Sequence, residues 1–186
     1  MGRALGDKVV LVGTSTGATL ATWLAAQPEF EDIAGLVLVS PNFHPVAFGV
    51  RLALMPGAER WVRMVVGDER EWTPVNDEQA KYWTWKYPSH ALVDMMELVR
   101  LLELTDLGDV VAPTSIYLNP LDEVVDAEVT QKRFKKIGSE EKILVEVHDD
   151  GARGHHVIAG DICSPETTEM LANQVSVWLS KQLVSN

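Results

Sequence analysis

Apolar residues along this chain fall into two rhythms. Residues 8–13 and 35–40 are short continuous apolar runs, the kind buried on both faces of a parallel sheet, and 114–118 and 142–148 follow them less strictly. Helical spacing fills the intervals: 18–27 after the first run, 127–137 before the fourth, and 165–183 at the end, where Leu171, Val175, Trp178 and Leu179 share one face. Alternating strands and helices predict an α/β fold on a mostly parallel sheet with right-handed crossovers. Between Pro41 and Val111 the rhythm turns helical and rich in Met and Trp, with helices predicted over 58–66, 77–86 and 89–104. The chain thus divides into a core segment 1–42, an inserted helical cap 43–110, and a second core segment 111–186. Within the cap, Trp61, Met64, Trp83, Trp85, Met95 and Met96 either line an apolar pocket or pack between cap helices and sheet.

The first apolar run breaks into Gly13-Thr14-Ser15-Thr16-Gly17 and passes at once into an amphipathic helix. A serine at a sharp strand-to-helix turn is the setting of a nucleophile elbow, and Gly13 and Gly17 are expected to remove side chains that would collide with the neighbouring strand and the returning helix. Ser15 then stands at a helix N-terminus, where free amides and the positive end of the dipole favour charge developing on a carbonyl oxygen. An activated serine needs a base and an acid that orients it. Two loops after strand ends offer them. Residues 119–126 carry the carboxylates Asp122, Glu123 and Asp126, and 149–158 carry the adjacent His155 and His156. Active sites of open α/β sheets gather at that edge, outside the carboxyl ends of the strands. His148 is assigned to its strand, while His44 and His90 lie at the cap edges without a motif. The cluster His148, Asp149, Asp150, His155 and His156 fits no usual zinc spacing, so no metal site is expected.

Composition narrows the classes. With 186 residues, 46% of them hydrophobic, the chain can bury a sizeable core as one domain with an insertion. A formal net charge of -11 repels phosphate backbones, which speaks against a nucleic-acid partner. The basic spot Lys132-Arg133, Lys135-Lys136 reads as a solvated helix face. The single cysteine, Cys163, excludes an intrachain disulfide and suggests a reducing compartment. No apolar run approaches the length of a membrane span and the N-terminus lacks a signal pattern, so a cytoplasmic chain is expected.

Taken jointly and in order, these motifs resemble the C-terminal part of an α/β-hydrolase-fold protein. Gly13-Thr14-Ser15-Thr16-Gly17 is similar to that family's nucleophile motif, Asn119-Pro120-Leu121-Asp122-Glu123-Val124-Val125 to its acid loop, and Gly154-His155-His156-Val157-Ile158 to its histidine loop. The resemblance implies Ser15 as nucleophile, Asp122 as acid and His156 as base, with the Thr16 backbone N–H in the oxyanion hole. It implies hydrolysis of carboxylic esters, on a small apolar substrate, through an acyl-enzyme and without a cofactor. A carbon–carbon-cleaving or lyase relative, and an inactive interaction module, are the alternatives. The family takes a second oxyanion donor from a loop ahead of the nucleophile, and few residues precede Ser15 here. Arg3-Ala4-Leu5-Gly6 reads as the last turn of a helix with a glycine C-cap, so the sequence is expected to lack N-terminal strands. The first strand would then present an open apolar edge suited to self-association.

Overall fold

The computed structural model describes residues 2–47, 49–148 and 153–184. In chain order, β1 (Val10–Thr14) runs into α1 (Thr16–Ala25) and β2 (Gly35–Val39) follows. A long excursion carries α2 (Ala58–Val66), β3 (Glu69–Glu71), α3 (Asp77–Tyr82), β4 (Lys86–Pro88) and α4 (Ala91–Leu104). The chain then returns through β5 (Thr114–Leu118), α5 (Ala127–Phe134), β6 (Lys142–Glu146) and α6 (Pro165–Val184). The main sheet has four strands in the order β1-β2-β5-β6, every pair parallel, with Val10 opposite Gly35, Leu36 opposite Thr114, and Thr114 opposite Lys142. The α/β fold is the one the apolar pattern predicts.

Alternation of side chains sorts the core onto two faces. Leu36, Leu38, Ile116 and Leu118 pack on Ala18, Ala21 and Ala25 of α1 and on Leu102 of α4. The intervening Val37 and Tyr117 face the other way, against Leu171 and Trp178 of α6. Fully burying such a side chain contributes about 1.5–3 kcal/mol. The two inner strands are buried nearly throughout, whereas β1 and β6 are not: Val12 is 64% exposed. An edge strand has a neighbour on one side only, which is why runs that look alike in sequence differ in burial.

Several expectations need correction. The helix expected over 77–86 ends at Tyr82, and Lys86–Pro88 pairs antiparallel with Glu69–Glu71. Lys86 Nζ sits 2.8 Å from Glu69 and 2.7 Å from Glu71, so charge holds a ribbon that lacks apolar alternation. Of the six Met and Trp residues, Met96 is buried among Ala53, Ala58, Val62, Val93 and Val99, with Met95 packed alongside. Trp61, Met64, Trp83 and Trp85 are exposed rather than packed in the core. Of the basic spot, Lys132, Lys135 and Lys136 are exposed as expected, whereas Arg133 is half-buried: its guanidinium lies 5.8 Å from the centre of the Phe43 ring, and burial draws its pKa down. The turn at Gly2–Ala4 is a single 3-10 turn, and Gly6 is not left-handed. No helix among the described residues is long and apolar enough to cross a membrane.

Candidate active site

Ser15 is held at the end of β1 by its N–H, which donates to Val39 O at 2.9 Å, and it launches α1 by accepting from Ala18 N at 3.0 Å. Between these bonds its backbone takes φ 52 and ψ -121, a conformation that costs a non-glycine residue about 1–3 kcal/mol. The surroundings must hold it there. Asn42, just past β2, donates its N–H to Ser15 O at 3.1 Å and its amide Nδ2 to Thr16 Oγ1 at 3.3 Å, while its own carbonyl accepts from Thr19 Oγ1 at 2.7 Å. The two glycines of the motif are not equivalent. A Cβ on Gly13 would lie 2.6 Å from Ala18 Cα, whereas one on Gly17 would meet nothing within 4 Å, so the expected collision exists only at Gly13. Thr16 is the first residue of α1, and its N–H belongs to the turn whose amides have no intrahelical acceptor.

Three carboxylates were open in the acid loop, and they do different things. Asp122 Oδ1 accepts from the N–H groups of Val124 and Val125 at 2.8 and 2.9 Å, which fixes the carboxylate and leaves Oδ2 to point elsewhere. Asp126 Oδ1 accepts from Val129 N at 2.9 Å and caps α5. Glu123 is exposed, and its N–H donates to Gly154 O at 2.9 Å, tying the acid loop to the histidine loop.

His156 spans the gap. Its Nδ1 is 2.8 Å from Asp122 Oδ2 and its Nε2 is 3.0 Å from Ser15 Oγ, with the Asp122 side chain 1% exposed and the His156 side chain 14%. A carboxylate oxygen accepts, so Nδ1–H donates to Asp122 Oδ2, and in the neutral ring that tautomer leaves the Nε2 lone pair to accept from the serine hydroxyl. Ser15, His156 and Asp122, from three loops at the carboxyl ends of β1, β6 and β5, thus form one hydrogen-bonded chain.

His155 directly precedes His156 with φ 52. His148 lies just beyond β6, exposed and 3.9 Å from Glu146, rather than inside the strand. His44 approaches Glu103 at 3.9 Å, and His90 precedes α4. Asp149 and Asp150 of the metal cluster considered above fall outside the described residues, among which no group of three or more His, Cys, Asp or Glu side chains is arranged to hold an ion. A cleft of about 520 Å³ runs along residues 53–60 to Val93 and Glu97, and its lining includes none of the three bonded residues.

Asn42 was missed from the sequence. Its only local signal is a polar residue following Ser40-Pro41 at a strand end, and its partners lie 23 to 27 positions away.

A family model described as "Alpha/beta hydrolase family" matches residues 2–161. No curated protein matches the sequence. Among solved structures, the chain resembles a metagenome-derived lipolytic enzyme with a TM-score of 0.73 and 18% identity, over 96% of this chain and 67% of that one. It resembles a soluble variant of the monoglyceride lipase of Saccharomyces cerevisiae with a TM-score of 0.69 and 14% identity, over 97% of this chain and 64% of that one. The monoacylglycerol lipase of Paleococcus ferrophilus gives a TM-score of 0.71 and 16% identity, over 97% of this chain and 71% of that one. The chain therefore spans about two thirds of the length of these structures, and at such identities the likeness speaks for the fold.

Proposed function

The chain belongs to the alpha/beta hydrolase family, and on that premise we propose that it is a serine hydrolase of carboxylic esters, with Ser15 as nucleophile, His156 as general base and Asp122 as the acid that orients it. The single observation that carries this proposal is the His156 ring, 3.0 Å from Ser15 Oγ on one side and 2.8 Å from Asp122 on the other. His156 Nε2 takes the hydroxyl proton as Ser15 Oγ attacks the ester carbonyl carbon. Asp122 keeps the ring in the required tautomer and stabilises the imidazolium. The carbonyl oxygen gains charge against the Thr16 N–H and the N-terminal end of α1. When the tetrahedral intermediate collapses, the imidazolium returns its proton to the departing alcohol. A water deprotonated by the same nitrogen then releases the acid. Each step uses side chains and water alone, without metal or cofactor.

Residues 43–110 act in this scheme as a helical cap beside the site, and the apolar surface they carry suits an apolar ester. The lipolytic structures of similar fold support that substrate class. Among the described residues β1 pairs on one side only, and we assign its open edge to pairing with another polypeptide strand, a second copy of the chain being the simplest source.

An aryl fluorophosphonate tests the chemistry, because it phosphonylates a serine only where a base activates it. The wild-type chain is expected to gain one phosphonyl mass on the peptide carrying Ser15, and Ser15→Ala to gain none while unfolding at a similar temperature. Ester turnover is expected to fall with it, by as much as about 10⁶. Labelling or hydrolysis that survives in Ser15→Ala would falsify the nucleophile assignment.

A further inference from the structure

The segment that follows His156 is pinned from two sides. From below, the first turn of α6 holds it through hydroxyls: Ser164 Oγ donates to Val157 O, Thr167 Oγ1 donates to Ile158 O at 2.8 Å, and Thr168 Oγ1 accepts from Gly160 N at 2.8 Å. These bonds are local in sequence and belong to the core segment. The second set is not local. Asn76 Nδ2 donates to Ile162 O at 2.8 Å, and Gln79 Nε2 donates to Cys163 Sγ at 3.3 Å, so α3 reaches across more than eighty positions to the turn that carries the histidine loop into α6.

Both amides have their orientation fixed by backbone groups at their other ends. Asn76 Oδ1 accepts from Gln79 N at 2.8 Å, which is the N-cap bond of α3, and Gln79 Oε1 accepts from Val75 N at 2.8 Å. A backbone N–H needs an oxygen, so each NH₂ must face the 162–163 turn. Gln79 is 5% exposed, the sole polar residue of α3 to be buried. A long amide side chain buried on an otherwise exposed six-residue helix loses rotamer freedom and desolvates four bonding sites. Solubility does not explain that cost, since an exposed Gln would serve, and packing does not explain it, since Met or Leu would fill the space without a desolvation penalty. Its two bonds give the position its purpose. They set the distance between α3 and the 160–164 turn.

We propose that Gln79, with Asn76 beside it, is a positioning residue for His156: a strut from the cap segment that holds the histidine loop so that Nε2 stays within reach of Ser15 Oγ. This rests on the Ser15–His156–Asp122 chemistry proposed above and extends it to the cap, which becomes part of what sets the base rather than only a wall for substrate. The neutral thiol of Cys163 is the acceptor at the far end. Burial raises its pKa and keeps it in that form.

The test uses the full chain and saturating kinetics with the aryl fluorophosphonate, which separate the limiting labelling rate from the half-saturating concentration. Gln79→Met removes both bonds at similar volume, Cys163→Ala removes only the far acceptor, and Cys163→Ser restores an acceptor oxygen. Gln79→Met and Cys163→Ala are expected to lower the limiting rate roughly tenfold, as small displacements of a catalytic group do, with the half-saturating concentration unchanged. Cys163→Ser is expected to recover most of the rate, and Gln79→Met combined with Cys163→Ala to be no slower than Gln79→Met alone. A change confined to the half-saturating concentration would make Gln79 a substrate contact and overturn the strut, as would an unchanged rate in both single variants. Hydrogen exchange of the amides in 157–163 reads the same strut without chemistry. It is expected to quicken there in Gln79→Met and to stay level in β2 and β5, and uniform quickening, or none, would refute the proposal. If the wild-type chain takes no label but exchange responds as stated, the strut stands and the serine assignment falls.

Discussion

At the scale of single residues, the elbow makes opposite demands on its two glycines. A methyl group on Gly13 would lie 2.6 Å from Ala18 Cα and 2.7 Å from Ala18 N, atoms of the backbone that cannot yield without moving α1. Gly13→Ala is therefore expected to destabilise the chain by about 1–3 kcal/mol and to lower Tm by several degrees. Gly17 has open space around its missing Cβ and ordinary helical backbone, so Gly17→Ala is expected to stabilise the chain by about 0.4–1 kcal/mol through the unfolded state. Thermal unfolding of the two variants side by side decides it, and equal destabilisation would mean that Gly17 too is crowded. Ser15 was legible as a candidate because the strand end and the following helix mark it locally, whereas Asp122 among three carboxylates and His156 beside His155 were singled out only by the resemblance to the α/β-hydrolase fold. Asn42 and Gln79 were not legible. Their importance lies in hydrogen bonds to partners that the fold brings in, and an isolated Asn or Gln in sequence looks like surface.

At the scale of elements, the parallel strands and their helices were readable within about three residues, the widest miss being the helix expected over 127–137 that ends at Phe134, because apolar runs and helical faces are local signals. The ribbon of β3 and β4 was not, since Glu69-Arg70-Glu71 and Lys86-Tyr87-Pro88 show no apolar alternation and ion pairs at Lys86 take its place. The start of α5 shows how one loop divides its carboxylates between structure and the candidate site. Asp126 caps the helix through Val129 N, and Asp122 faces His156. Asp126→Ala is thus expected to cost about 1 kcal/mol of stability and leave the phosphonate labelling rate unchanged. Asp122→Asn is expected to keep the fold, by retaining an oxygen for Val124 and Val125, and to slow labelling by about 10⁴ because the ring loses its proper tautomer. Unfolding curves and labelling rates together separate the two roles. If Asp126→Ala slowed labelling as strongly as Asp122→Asn, the division would be wrong.

At the scale of the whole molecule, the decisive property is the place of β1 in the sheet, which no local pattern encodes. Residues 8–13 and 35–40 look alike as apolar runs, yet among the described residues β2 lies between two strands and β1 at the edge, with Val12 64% exposed. An apolar edge with unsatisfied backbone groups favours pairing with another strand, whereas a net charge of -11 on each chain opposes bringing two copies together. Salt tells these terms apart. Screening weakens the repulsion and leaves backbone pairing nearly untouched, so association is expected to strengthen as ionic strength rises, the reverse of an assembly held by salt bridges. Light scattering across a dilution series at low and high salt is expected to show a concentration-dependent oligomer, tighter at high salt. Val12→Lys, which adds charge to the edge without touching the inner strands, is expected to shift the equilibrium towards monomer while Tm changes little. A monodisperse monomer at every concentration, or association that salt dissolves, would show that the edge of β1 is not the surface through which copies meet.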